Sequence, residues 1–130
     1  MSAIKGLAEI VLSVRDSAAS LAFYRDLLGL TQISPPDRPG PIFLQAGPEQ
    51  VGIPQLIVLV PLTAGSPAFA PPRTLHHLAF TIAPDDFDSL QEELEGRGHA
   101  TRGGQHPILA SRTLYIDDPD GNEVEFICTA

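Results

Sequence analysis

Two segments of this chain match residue class by residue class: Leu7-Ala8-Glu9-Ile10-Val11-Leu12-Ser13-Val14 and Leu75-His76-His77-Leu78-Ala79-Phe80-Thr81-Ile82. Such an internal repeat implies two copies of one supersecondary unit packed together. The one chemical mismatch sets Glu9 against His77. A carboxylate and an imidazole at equivalent places suggest that the copies share one polar site.

In the first copy, Glu9, Val11 and Ser13 alternate with Ile10, Leu12 and Val14, the period of a half-buried strand. Asp16 and Ser17 then cap a predicted helix through Leu28, with Leu21, Tyr24 and Leu28 on one stripe and Gly29 as the stop. Strands are expected at Thr31 to Ser34, Ile42 to Ala46 and Leu56 to Val60, separated by Pro/Gly turns. The second copy repeats the order: a strand over His76 to Ile82, then a helix opened by Asp85 and Asp86 that carries Phe87, Leu90 and Leu94 on its stripe. A weak strand is expected near Ala100 and a stronger one at Arg112 to Asp117. The last strand runs from Glu123 to Thr129, after the turn Asp118-Pro119-Asp120-Gly121-Asn122. The expected fold is therefore α+β, a single domain over 1–130 built of two βαβββ modules, 1–62 and 74–130. The proline-rich stretch from Gly65 to Pro72 reads as the linker.

Parity places the large aliphatics of both first strands toward the helices. Glu9, Val11 and Ser13 then share the other side with their counterparts His77, Ala79 and Thr81, and Val124, Phe126 and Cys128 of the last strand turn Glu123, Glu125 and Ile127 to that same side. If the two sheets face each other, Glu9, His77 and Glu125 converge on one cleft. Two carboxylates and an imidazole there can hold a divalent cation with positions left for substrate, and a cation accounts for carboxylates turned inward. Singly, each has a plainer explanation: Glu9 as a solvent-facing residue, His77 as hydrogen-bonded structure, Glu125 as edge protection. By strand parity His76 points away from His77. His99 and His106 read as surface residues, and Arg102-Gly103-Gly104-Gln105 as a flexible entrance loop resembling a lid.

Sixteen acidic against eight basic residues give a net charge of −8, which disfavours nucleic acid and anionic membranes as partners. A small-molecule substrate suits this balance. No stretch of the ~20 apolar residues needed to span a membrane and no leader is visible. One cysteine, Cys128, allows no internal disulfide, and the cytoplasm is the default location.

Several motifs carry a resemblance over essentially the whole chain: Val14-Arg15-Asp16-Ser17, Phe23-Tyr24-Arg25-Asp26-Leu27-Leu28-Gly29-Leu30, His77-Leu78-Ala79-Phe80, and Tyr115-Ile116-Asp117-Asp118-Pro119-Asp120-Gly121-Asn122 ending at Glu125. The sequence resembles the vicinal oxygen chelate superfamily, which includes glyoxalase I, extradiol dioxygenases, methylmalonyl-CoA epimerase, fosfomycin-resistance enzymes and bleomycin-binding proteins. The resemblance implies paired βαβββ modules forming a glyoxalase-like cleft or barrel. It also implies a divalent metal (Zn, Ni, Mn or Fe(II)) held by Glu9, His77 and Glu125, and a homodimer. By the same resemblance Tyr115 falls where dioxygenase relatives carry an acid/base tyrosine; the base is expected to be Glu9, if it leaves the metal, or Tyr115. Where most metal-dependent relatives carry His or Gln, this chain has Glu9, so the ligand set of an Fe(II) dioxygenase is incomplete. The fourth ligand position of glyoxalase I falls near Ile57 or Val58, both apolar. The implied activity is metal-dependent lyase, isomerase or dioxygenase-like chemistry on a small oxygen-bearing substrate. The alternative is a metal-free, drug-sequestering protein of the bleomycin-resistance type.

Overall fold

The structure, a computed structural model, describes residues 2–63 and 74–130. The expected linker from Gly65 to Pro72 lies outside them. The chain divides into two compact units, Met1–Ala68 and Phe69–Ala130, and both are α+β with one topology. In the first, β1 (Glu9–Val14), β2 (Thr31–Gln32), β3 (Ile42–Gln50) and β4 (Ile53–Pro61) form a sheet in the order β1-β4-β3-β2. In the second, β5 (His77–Thr81), β6 (Arg102–Gly104), β7 (Ser111–Asp117) and β8 (Glu123–Thr129) follow the order β5-β8-β7-β6. Each first strand runs parallel to the last strand of its own unit, β1 with β4 and β5 with β8. A parallel pair needs a long connection, and the helix with the two middle strands supplies it.

The alternation in β1 is borne out: Leu12 and Val14 are buried while Glu9, Val11 and Ser13 are exposed. Helix α1 (Ser17–Leu21) starts where expected, with the Asp16 carboxylate accepting from the Ala19 amide at 3.2 Å. From Ala22 to Leu27 the backbone is π-helical rather than α-helical, with the Leu28 amide donating to the Phe23 carbonyl. The wider turn still buries Phe23 and Tyr24, so apolar spacing alone could not distinguish it from the expected helix. Gly29, at φ +81°, ends it in the left-handed region.

Strands β3 and β4 outrun expectation because they are joined by a tight hairpin at Val51-Gly52, both with positive φ. Pro48 lies in a stretch where the β3–β4 register shifts, the setting in which a sheet tolerates proline. In the second unit a 3₁₀ turn at Pro84–Asp86 precedes helix α2 (Phe87–Gly96). The core of the first unit includes Leu12, Val14, Tyr24, Leu44, Ile57 and Leu59; that of the second includes Leu78, Phe87, Leu94, Leu114, Ile116 and Phe126. No helix among the described residues is long and apolar enough to cross a membrane.

Candidate functional site

Register decides which side chains share a face. In the second unit His77 pairs with Glu123, Ala79 with Glu125, and Glu125 in turn with Tyr115 and Tyr115 with Arg102. One face of this sheet therefore carries His77, Glu123, Glu125 and Tyr115 together. Its opposite face holds Leu78, Leu114, Ile116, Val124 and Phe126, all buried.

The centre of the polar face is a close imidazole–carboxylate contact. His77 Nε2 lies 3.0 Å from Glu125 Oε1. Glu125 is 3% exposed, and its second oxygen, Oε2, is buried with no hydrogen-bond partner. A buried carboxylate oxygen left unpaired is costly, so this atom is a ready donor to a cation. The Tyr115 ring meets the His77 ring edge to face, with centroids 6.0 Å apart. Burial pushes the Tyr115 phenol above its ordinary pKa, and the negative charge of Glu125 and a hydrogen bond to it push it further; a hydrogen bond with Thr113 opposes them. Tyr115 thus holds its proton at neutral pH.

Strand β5 begins at His77, one residue later than expected, so strand parity does not govern His76. The two rings meet, with Nδ1 to Nδ1 at 2.8 Å and the rings at 72°. His76 does not point away from His77; it fixes the azimuth of that ring. The His76-His77 doublet was the only sequence signal for this contact. Arg102-Gly103-Gly104 is not a lid but edge strand β6, and Gly104 packs closely on the tyrosine: a Cβ there would lie 3.2 Å from Tyr115 Cε2 and press on its ring. His106 shapes its own loop, its Nδ1 accepting from the amides of Ile108 and Leu109 at 3.1 and 2.9 Å.

The turn at Asp118 sets the β7–β8 register that aligns Tyr115 with Glu125. Asp118 Oδ1 accepts from the amides of Asp120 and Asn122 at 2.9 and 2.8 Å, and Oδ2 from the Asn122 side-chain amide at 2.9 Å. These bonds give the Asp-Pro-Asp-Gly-Asn sequence a structural role between Tyr115 and Glu125.

In the first unit, Glu9 occupies the position of β1 that His77 occupies in β5. It is exposed, and it pairs with Leu56. The position corresponding to Glu125 is Val58, which pairs with Val11 as Glu125 pairs with Ala79. This sheet face therefore supplies one ionisable group on these two strands, where the second unit supplies three: His77, Glu123 and Glu125. Among the described residues, no group of three or more His, Cys, Asp or Glu side chains is gathered closely enough to hold a metal ion.

A repeated parallel-antiparallel βαβββ unit, with an imidazole-carboxylate pair on one sheet face, defines the glyoxalase-like class of fold. A sequence model of the family described as "Glyoxalase/Bleomycin resistance protein/Dioxygenase superfamily" matches residues 6–126, and the chain belongs to that superfamily. It is 30% identical over 128 residues to a protein named metallothiol transferase FosB from Staphylococcus haemolyticus, covering 94% of this chain and 82% of the relative. Among solved structures, a glyoxalase/dioxygenase from Nostoc punctiforme superposes with a TM-score of 0.71 at 25% identity, covering 97% of this chain and 92% of that one. A glyoxalase/bleomycin resistance protein/dioxygenase domain from Frankia sp. EAN1pec superposes with a TM-score of 0.75 at 23% identity, covering 98% and 100%.

Proposed function

We propose that the chain is a metal-dependent vicinal-oxygen-chelate enzyme in which Glu9, His77 and Glu125 hold a divalent cation for a small oxygen-bearing substrate. The observation that carries this reading is Glu125 Oε2, buried and unpartnered beside the imidazole of His77. One imidazole nitrogen and carboxylate oxygens, with no thiolate, suit Zn, Ni, Mn or Fe(II). The name of the FosB relative, a metallothiol transferase, supports metal dependence. When bound, the ion supplies Lewis-acid polarisation of a substrate oxygen.

The chain's own residues do the rest. His76 orients His77 through its Nδ1, leaving Nε2 as the ligand atom. Tyr115, whose phenol keeps its proton, donates a hydrogen bond to an oxygen on which negative charge develops, so its role is that of an acid. Glu9, exposed on its strand, serves as the base that removes a proton from substrate once it leaves the cation. This division suits lyase, isomerase or group-transfer chemistry. A cytoplasmic homodimer belongs to the same proposal and rests on the family resemblance.

The test is elemental analysis of protein purified without chelators and then metal-loaded, beside Glu9→Ala and His77→Ala. Stoichiometric metal in the parent and its loss in both variants supports the enzyme. A parent that takes up no metal under replete conditions overturns it in favour of a metal-free drug-binding protein.

A further inference from the structure

The second unit contains a cavity of about 360 Å³ that the catalytic reading does not use. Four of its walls, Thr81, Ser111, Ile127 and Thr129, have the strand parity of the polar face: Thr81 follows Ala79 by two on β5, and Ile127 follows Glu125 by two on β8. The remaining wall includes Ile82 and Cys128, which have the opposite parity and place the cavity at the end of the sheet, with Pro84 and the loop residues Leu109 and Ala110. The lining is almost wholly apolar. Its volume is at the lower end of the ~300–1,000 Å³ typical of small-molecule sites. At roughly 3.3 Å of strand per residue, the cavity begins only about 7 Å from Glu125.

The loop that closes the cavity is held open to solvent on its apolar side. Leu109 is 56% exposed and its neighbour Ile108 is 84% exposed, although two amide bonds to His106 Nδ1 and a bond from the Ser111 hydroxyl to the Leu109 carbonyl fix the backbone. Apolar side chains presented by a fixed loop beside an apolar cavity are suited to receive an apolar group.

We infer that the substrate is amphipathic: a head with adjacent oxygens engages the His77, Glu125 and Tyr115 end of the face, and an alkyl or aryl arm lies along β5 and β8 into this cavity. The inference rests on the metal reading for the head and on the cavity alone for the arm. Charge supports an uncharged arm, because the cavity lining has no ionisable side chain other than the buried Cys128 thiol.

Three probes separate the two parts: acetohydroxamate presents the oxygen head alone, octanohydroxamate the head with an arm, and octan-1-ol the arm alone. Their affinities are measured by calorimetry on metal-loaded protein, and that of octan-1-ol also on metal-free protein. Each methylene that enters the cavity tightens binding by about fourfold. Octanohydroxamate is expected to bind on the order of 10²-fold or more tighter than acetohydroxamate. Ala110→Phe, which fills the cavity from an exposed wall, is expected to abolish that gain and leave acetohydroxamate unchanged. Equal affinities for the two hydroxamates overturn the inference and leave the metal reading standing. Octan-1-ol binding that Ala110→Phe removes, in a protein that takes up no metal, overturns the metal-held head and with it the amphipathic substrate. If Ala110→Phe converts a dimer to a monomer in sedimentation, the cavity is covered by a second copy, which also overturns it.

Discussion

Replacing Glu125 by glutamine is expected to change stability in opposite directions with and without metal. In the metal-free protein the carboxylate is 3% exposed and leaves Oε2 unpartnered. An unsatisfied buried polar group costs about 1–3 kcal/mol, and more when charged. Glutamine preserves the shape and removes the charge. Against this, the bond with His77 at 3.0 Å falls from a charge-assisted to a neutral hydrogen bond, a loss of about 1 kcal/mol. Partial exposure of His77 reduces that loss further. The net expectation in EDTA is a gain of about 0–2 kcal/mol for Glu125→Gln. At about 3–5 °C per kcal/mol for a chain of this length, the melting temperature is level with the parent or several degrees higher. With metal at 100 times its dissociation constant, the parent gains about 2.7 kcal/mol by linkage, and the variant gains almost none. Urea denaturation in EDTA and in saturating Zn or Mn reads both. If Glu125→Gln loses more than about 1 kcal/mol in EDTA, Oε2 has a structural partner and the reasoning fails. A metal-induced gain equal to the parent's refutes it as well.

His76→Ala is expected to weaken metal affinity by about 10–100-fold, as loss of a group that orients a ligand does, while a competition titration of His76→Gln shows partial recovery. The raised phenol pKa of Tyr115 has a definite sign: the unfolded chain ionises first, so stability is intact below about pH 10 and declines as pH rises toward the folded value. Tyr115→Phe is expected to flatten that alkaline decline in denaturation measurements, and Glu125→Gln to move the tyrosinate absorbance transition back toward its ordinary value. Asp118→Ala removes three hydrogen bonds of the β7–β8 turn and is expected to cost about 1.5–4 kcal/mol, read by urea midpoint; unchanged stability would show that the turn does not set this register.

Much of this protein was legible in its sequence because the information is local. Alternation in β1, the Asp16 cap, the Gly29 stop and the Asp118 turn each follow from the conformational limits of a few consecutive residues. The repeat extended that local reading to two units of like topology. Side-chain parity then put His77 and Glu125 on one face, and the structure bears that out with a 3.0 Å contact. Other features were not local. Phe23 to Leu28 has apolar spacing compatible with either an α- or a π-helix, and packing rather than pattern selected the wider turn. Arg102-Gly103-Gly104 has the composition of a loop, but it pairs as an edge strand and Gly104 lies close against the Tyr115 ring. His76 stands one residue ahead of the strand, so only the chain's actual entry into β5 could bring its ring to His77.

The sequence alone thus determined the fold class, the repeat and the identity of the polar residues, since these depend on period and composition. Tertiary structure alone decided that Glu125 is buried with an oxygen unpaired, that the His76 ring meets that of His77, and that an apolar cavity forms at the ends of β5 and β8. Burial and satisfaction of a polar atom depend on neighbours distant in the chain, and no local pattern encodes them.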